Sequence, residues 1–194
     1  MEIDRVLYPV TSLGPGDRLV IWVIGCGRRC AGCANPELWH KDAGKNISVN
    51  DLVRMIKEAA SDKPIDGVTI TGGDPLDQTD ELCILLQSLR EITCDIIMYT
   101  GYTYDEAAGK IPAALWEVIN QCVSVLIDGP YVDALNDNSC VLRGSANQKI
   151  IFLDESKRGI YTEYLKNGRT IQNVYYKDKM ISVGIHSKEI SYGD

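Results

Sequence analysis

The sequence is poor in several things, and each shortage closes a door. It has only two histidines, His40 and His186, among 194 residues. A tetrahedral zinc site built on histidine therefore has little to draw on. There is no block of like charge, and the formal net charge is -7, which argues against the basic footprint of a nucleic-acid binder. No stretch reaches the roughly 18 apolar residues of a membrane span. The opening "MEIDRVLYPV" lacks the charged-then-apolar pattern of a secretory signal. The expectation is a cytoplasmic protein with reduced thiols, no membrane and no nucleic acid. With 45% hydrophobic residues, the chain can bury a sizeable core without disulfide staples.

What is present is a pattern of strands alternating with helices. "RLVIWVIG" (18–25) is a β-branched apolar run. "DGVTITGGDPL", "CDIIMYTGY" and "CVSVLIDGPY" are three more strands, and "QKIIFL" is a fifth. Between them, "SVNDLVRMIKEAA" places Leu52, Met55, Ile56 and Ala59 at helical spacing. "DQTDELCILLQSLREI" and "PAALWEVINQ" are the other helices. Such alternation predicts βαβ units and a mostly parallel sheet, too short to close an eight-stranded barrel. The first four strands each run into a polar or glycine-rich loop at the C-terminal end, the edge where parallel sheets and barrels place their sites. After Phe152 the pattern changes, and "TIQNVYYKDKMISVGI" reads as a hairpin appended to the main sheet around a Lys-Asp-Lys turn. Ile181, Val183 and Ile185 form its apolar face.

Seven cysteines are unevenly spread. Cys83 lies inside "ELCILLQSL" and Cys122 beside "VSVLI", and both read as small core side chains. Cys26, Cys30 and Cys33 cluster in the loop after the first of these strands. Three thiols are one short of a structural zinc set, and a redox pair at Cys30 and Cys33 leaves Cys26 unexplained. Cubane iron–sulfur clusters are normally held by thiolates in cysteine-rich runs. With three thiolates, one iron keeps a position open for a substrate or cosubstrate.

The spacing Cys26-x3-Cys30-x2-Cys33 resembles the signature of the radical S-adenosylmethionine (radical SAM) superfamily. "LGPGDRLVIWVIGC", "GCANPELW", "TGGDPL", "YTGYTYDE", "VLIDGPY" and "LRGSANQ" together resemble the small activating enzymes of glycyl-radical proteins, in particular the branch that serves anaerobic ribonucleotide reductases. The resemblance covers roughly Met1 to Phe152 and implies a partial, open β/α barrel as radical SAM core over 1–153, with 154–194 as an extension bearing the hairpin.

It further implies an oxidoreductase in which Cys26, Cys30 and Cys33 ligate a [4Fe–4S] cluster. S-adenosylmethionine would complete the fourth iron and be cleaved reductively to a 5′-deoxyadenosyl radical. That radical would take a hydrogen atom from a glycine of a partner glycyl-radical enzyme, with a flavodoxin-like protein as reductant. The alternatives are a radical SAM enzyme acting on a peptide or small molecule, and a non-catalytic iron–sulfur electron carrier.

By the same resemblance, Gly72, Gly73 and Asp74 form the loop facing the methionyl amino group, and Thr100 lies near the methionyl carboxylate or ribose. Asp128 serves the ribose or a monovalent cation. Arg143 pairs with the methionyl carboxylate, and Ser145 and Asn147 contact the nucleoside or shape the rim. Gly32 stands where many members of the superfamily carry an aromatic residue before the third cysteine, so the adenine must be held by another group. Asn35, Pro36, Glu37 and Trp39 are expected to brace the cysteine loop.

Overall fold

In the computed structural model, residues 1–176 and 179–188 are described. Six strands form one sheet in the order β1-β2-β3-β4-β5-β6: β1 Ile3–Val10, β2 Arg18–Val23, β3 Gly67–Gly72, β4 Ile96–Tyr99, β5 Val125–Asp128 and β6 Lys149–Phe152. Strands β2 to β5 run parallel, while β1 and β6 close the two edges antiparallel. The helices are α1 Val49–Asp62, α2 Thr79–Leu89, α3 Tyr104–Lys110, α4 Ala113–Cys122 and α5 Arg158–Leu165. Among the described residues, no helix is long and apolar enough to cross a membrane.

Because the parallel strands follow one another in space, crossovers of a single hand place their helices on one face of the sheet. Leu52, Ile56, Leu82, Leu85, Leu86, Leu115 and Ile119 of α1, α2 and α4 accordingly bury against Leu19, Ile21, Ile70, Met98 and Leu126. In α1 the buried row is Val49, Leu52, Val53 and Ile56, whereas Met55 points outward at 51% exposure. The expected face is thus rotated by one position. Cys122 is buried and Cys83 half-buried on this same face.

The opposite face is covered by loops and the C-terminal segment. Val10, Leu13, Val20, Trp22 and Ile24 pack with Leu38 of the cysteine loop and Val183. Tyr161 of α5 and Leu142 pack with Ile97, Val125 and Ile127.

Strands β7 Ile171–Tyr176 and β8 Lys179–Gly184 make the expected hairpin. It is a separate two-stranded sheet and not a continuation of the main one. The reason lies in its apolar side. Val183 is buried against the main sheet with Ile181 and Ile185 alongside, and Ser12 Oγ donates to the Val183 carbonyl at 2.8 Å. Of the Lys-Asp-Lys turn (177–179), residues 177–178 lie outside the described ones and Lys179 opens β8.

A buried ionic knot anchors the N-terminal edge of the sheet. Arg18 is fully buried and donates to Asp95 Oδ2 at 2.9 Å, to Thr69 Oγ1 at 2.8 Å and to three backbone carbonyls. Tyr161 Oη donates to Asp95 Oδ1 at 2.6 Å. A hydrogen bond to a buried charge contributes about 1.5–3 kcal/mol. Tyr161→Phe is therefore expected to lower unfolding free energy by about that amount in a denaturant titration. A change near zero would mean that the carboxylate finds another donor.

Candidate functional site

The loops after β2, β3, β4 and β5 meet at the C-terminal edge of the sheet. The cysteine loop starts at Gly25, whose φ is +94°, and two backbone contacts join it to the loop after β3. Gly73 N donates to the Val23 carbonyl at 2.7 Å, and Asp74 N donates to the Gly25 carbonyl at 2.8 Å. A methyl group at Gly73 would overlap the Gly25 carbonyl oxygen, and one at Gly72 would stand 2.5 Å from the Val23 carbonyl oxygen. Glycine is required here so that two backbones can touch. The other end of the loop is held by Gly25 N donating to Leu38 O at 2.8 Å and Cys26 N to Trp39 O at 3.1 Å. The Asn35–Trp39 segment does brace the loop.

Side chains that were not singled out from sequence add to this clamp. Asp77 Oδ2 accepts from Gly27 N at 2.8 Å. Arg28 lies over the Tyr102 ring at 4.1 Å and donates to Glu106 Oε2 at 2.6 Å. Glu106 is itself part of the capping box that opens α3 at Thr103. The Thr103-x-x-Glu106 spacing was a readable signal of that helix.

The three clustered thiols are free and partly exposed. Burial pushes the Cys26 thiol up, and the Asp74 and Asp77 carboxylates add to this, while the backbone of Arg29 and Arg28 pulls the other way. Three free thiols on one pinned loop are a donor set suited to an iron–sulfur cluster. Among the described residues, no three His, Cys, Asp or Glu side chains converge as for one metal ion.

The structure places Asp74 differently from a ligand-facing carboxylate. It is 1% exposed. Its oxygens accept from Thr100 Oγ1 at 3.0 and 3.1 Å, from Gly101 N at 2.9 Å and from Leu76 N at 3.1 Å. Asp74 and Thr100 are thus brought together, as a staple between the loops after β3 and β4. Burial pushes the Asp74 carboxyl up to about 6, against the pull of these hydrogen bonds.

The raised pKa means that the folded state favours the protonated form. Stability from this group is present below about pH 4 and lost as pH rises through about 6. Relative to Asp74→Asn, the metal-free wild type is expected to lose on the order of 2–3 kcal/mol of unfolding free energy between pH 4 and 7. A flat difference, or one of opposite sign, would contradict this.

Asp128 is also 1% exposed. Its oxygens accept from Tyr104 N at 2.8 Å and Lys149 N at 2.9 Å, tying the start of α3 to β6. Ser145 is fully buried, and its Oγ accepts from Val132 N at 3.1 Å. Asn147 Nδ2 donates to Pro130 O at 2.7 Å, while its Oδ1 is buried without a partner among the described residues. Arg143 Nη1 donates to Gln148 O at 2.6 Å. The amide of Gln148 closes the loop, accepting from Gly144 N at 2.9 Å and donating to Gly129 O at 3.0 Å.

Tyr131, inside the "VLIDGPY" motif, lies against Gly32: a methyl at Gly32 would stand 3.1 Å from its ring. The rim beside the third cysteine therefore does carry an aromatic ring, delivered from the loop after β5. By contrast, the surface hollow lined by Thr11, Gly16, Asp17, Asp66 and Tyr164 lies at the opposite, N-terminal edge of the sheet.

Residues 12–151 match the family model described as "4Fe-4S single cluster domain". The chain is 34% identical over 158 residues to the anaerobic ribonucleoside-triphosphate reductase-activating protein of Escherichia coli (strain K12), covering 74% of this chain and 94% of that protein. It is 34% identical over 155 residues to the protein of the same name from Enterobacteria phage T4, covering 77% and 93%. The Vibrio cholerae protein of that name is 30% identical over 152 residues, covering 74% and 93%.

Proposed function

The chain belongs to the 4Fe-4S single cluster domain family and to the anaerobic ribonucleoside-triphosphate reductase-activating proteins, and on that premise we propose that it is a radical SAM activase. The observation that carries this reading is the cysteine loop, pinned by backbone contacts against the Gly72–Asp74 loop at the C-terminal edge of the sheet. Its protein substrate is an anaerobic ribonucleotide reductase of the glycyl-radical type. Its fold is the partial, open β/α barrel, a reading supported by sequential parallel strands with helices on one face. Residues 1–153 carry the chemistry and 154–194 form an extension.

Cys26, Cys30 and Cys33 hold the cluster. When bound, the cluster supplies one electron for reductive cleavage of S-adenosylmethionine to methionine and a 5′-deoxyadenosyl radical. The chain's own residues do the rest. The Gly72–Gly73 turn presents backbone to the methionyl end, while Asp74 and Thr100 fix that turn. The Arg143 guanidinium offers charge for the methionyl carboxylate. The loop 129–148, with Tyr131 and Asn147, forms the nucleoside side of the rim. Buried Asp128 and Ser145 hold that rim in shape. The electron comes from a flavodoxin-like protein.

The test is anaerobic incubation of the reconstituted, reduced protein with an anaerobic ribonucleoside-triphosphate reductase and S-adenosylmethionine, followed by electron paramagnetic resonance. A glycyl doublet on the reductase, absent without S-adenosylmethionine, is the expected result. Cleavage of S-adenosylmethionine without a doublet would move the assignment to a peptide or small-molecule substrate.

A further inference from the structure

The loop 129–148 carries Tyr131, Arg143, Ser145 and Asn147, yet its only regular element is the short 3-10 turn Asp133–Leu135. So long a connection is uncommon unless functional. Two of its residues, Asn138 and Leu142, hold left-handed backbone with φ of 65° and 62°. Such conformations persist only where the surroundings over-determine them.

The C-terminal extension supplies those surroundings. Arg169 donates from Nε to Cys140 O at 2.7 Å, from Nη1 to Asn138 Oδ1 at 3.2 Å and to His186 O at 2.9 Å, and from Nη2 to Asn136 Oδ1 at 2.9 Å and to Gly144 O at 3.3 Å. A rigid guanidinium fork can serve five acceptors at once; a lysine cannot. Lys188 N donates to Asn138 Oδ1 at 2.6 Å, and its ammonium pairs with Asp133.

The contacts continue to the cysteine loop. Asn136 Nδ2 donates to Tyr131 Oη at 3.0 Å, and Tyr131 Oη donates to Asp133 Oδ1 at 3.0 Å. The Tyr131 ring is wedged between Gly144 and Gly32, where added methyl groups would stand 2.8 and 3.1 Å from it. Gly32 directly precedes Cys33.

We propose that Arg169 is a positioning residue for the site: with Lys188 it clasps the loop 129–148 and holds the Tyr131 ring against Gly32, the residue before Cys33. The extension, which lies beyond the matched family residues 12–151, thereby sets how tightly the rim grips S-adenosylmethionine. The identity of that ligand rests on the function proposed above, while the clasp rests on the contacts alone.

The experiment compares Arg169→Ala and Lys188→Ala with Ile56→Val, a destabilising control in α1 on the opposite face of the sheet. Amide hydrogen exchange is read first on the metal-free chains. The two clasp variants are expected to raise exchange about tenfold in peptides covering 129–148 and 27–34, with β2 to β5 unchanged. Ile56→Val is expected to leave both peptides as in the wild type.

In reconstituted, reduced protein matched for iron and sulfide content, S-adenosylmethionine is then titrated while the cluster's electron paramagnetic resonance signal is followed. The midpoint is expected to rise about tenfold in Arg169→Ala, with only a partial return in Arg169→Lys. Wild-type exchange in 27–34 for both clasp variants would overturn the proposal, as would an unchanged titration midpoint. If S-adenosylmethionine leaves the wild-type signal unaltered, the functional reading fails, and the exchange data alone decide the clasp.

Discussion

Cys30→Ala is expected to leave a folded chain that no longer carries an intact cluster. The side chain belongs to a partly exposed thiol on a loop, so its loss removes no core packing, and the effect on stability should stay near ±0.5 kcal/mol. The effect on cluster chemistry is far larger. Changing a residue that merely supports a metal ligand costs on the order of 10–100-fold in metal affinity or activity. Removal of a ligand thiolate should cost at least the upper end of that range in 5′-deoxyadenosine formed per protein. Iron and sulfide analysis of the reconstituted variant, beside its melting curve, checks both halves. Cluster content and turnover equal to the wild type would take Cys30 out of the ligand set.

Gly73→Ala should have the next largest effect, and for a steric reason. The added methyl would overlap the Gly25 carbonyl oxygen, and that oxygen is held in place by Asp74 N at 2.8 Å. Backbone on both sides cannot yield as a flexible side chain would. Overpacking of this kind costs about 1–3 kcal/mol, and here the segment that must move is the base of the cysteine loop. Cluster loading is expected to fall about tenfold in a chain that still folds. Gly109→Ala is the matched control, because a methyl there meets nothing within 4 Å and sits inside α3. It should raise stability by about 0.5–1 kcal/mol and leave loading unchanged. Equal loading in the two variants would show that the touching backbones do not hold the cysteine loop.

The sequence made the central strands legible because each is a short apolar, β-branched run ending in glycine or polar residues. Those endings also marked the site edge. Strand β1 was not legible: "IDRVLYPV" carries Asp4 and Arg5 and reads as polar, yet it pairs antiparallel with β2 as an edge strand. Helix α5 was hidden in a mixed, charged segment whose fixed point, Tyr161, is buried by distant partners.

The motif residues stand out in the sequence, but their partners in the fold do not. Nothing local to "TGGDP" reveals that Thr100, from the loop after the next strand, occupies the Asp74 carboxylate. In the same way, Gly32 in sequence marks a missing aromatic, and only the fold shows Tyr131 arriving from another loop. Arg169 has no sequence signal, because all five of its acceptors lie well away along the chain.

The claim that organises the site is that this cysteine loop supports reductive cleavage of S-adenosylmethionine. The direct measurement is anaerobic: reconstitute the chain with iron and sulfide, reduce it, add S-adenosylmethionine, and quantify 5′-deoxyadenosine and methionine. Formation of both in equal amounts, dependent on the reduced cluster and lost in Cys30→Ala, is the expected result. A cluster that assembles and accepts an electron yet yields neither product would contradict the assignment and leave an iron–sulfur electron carrier in its place.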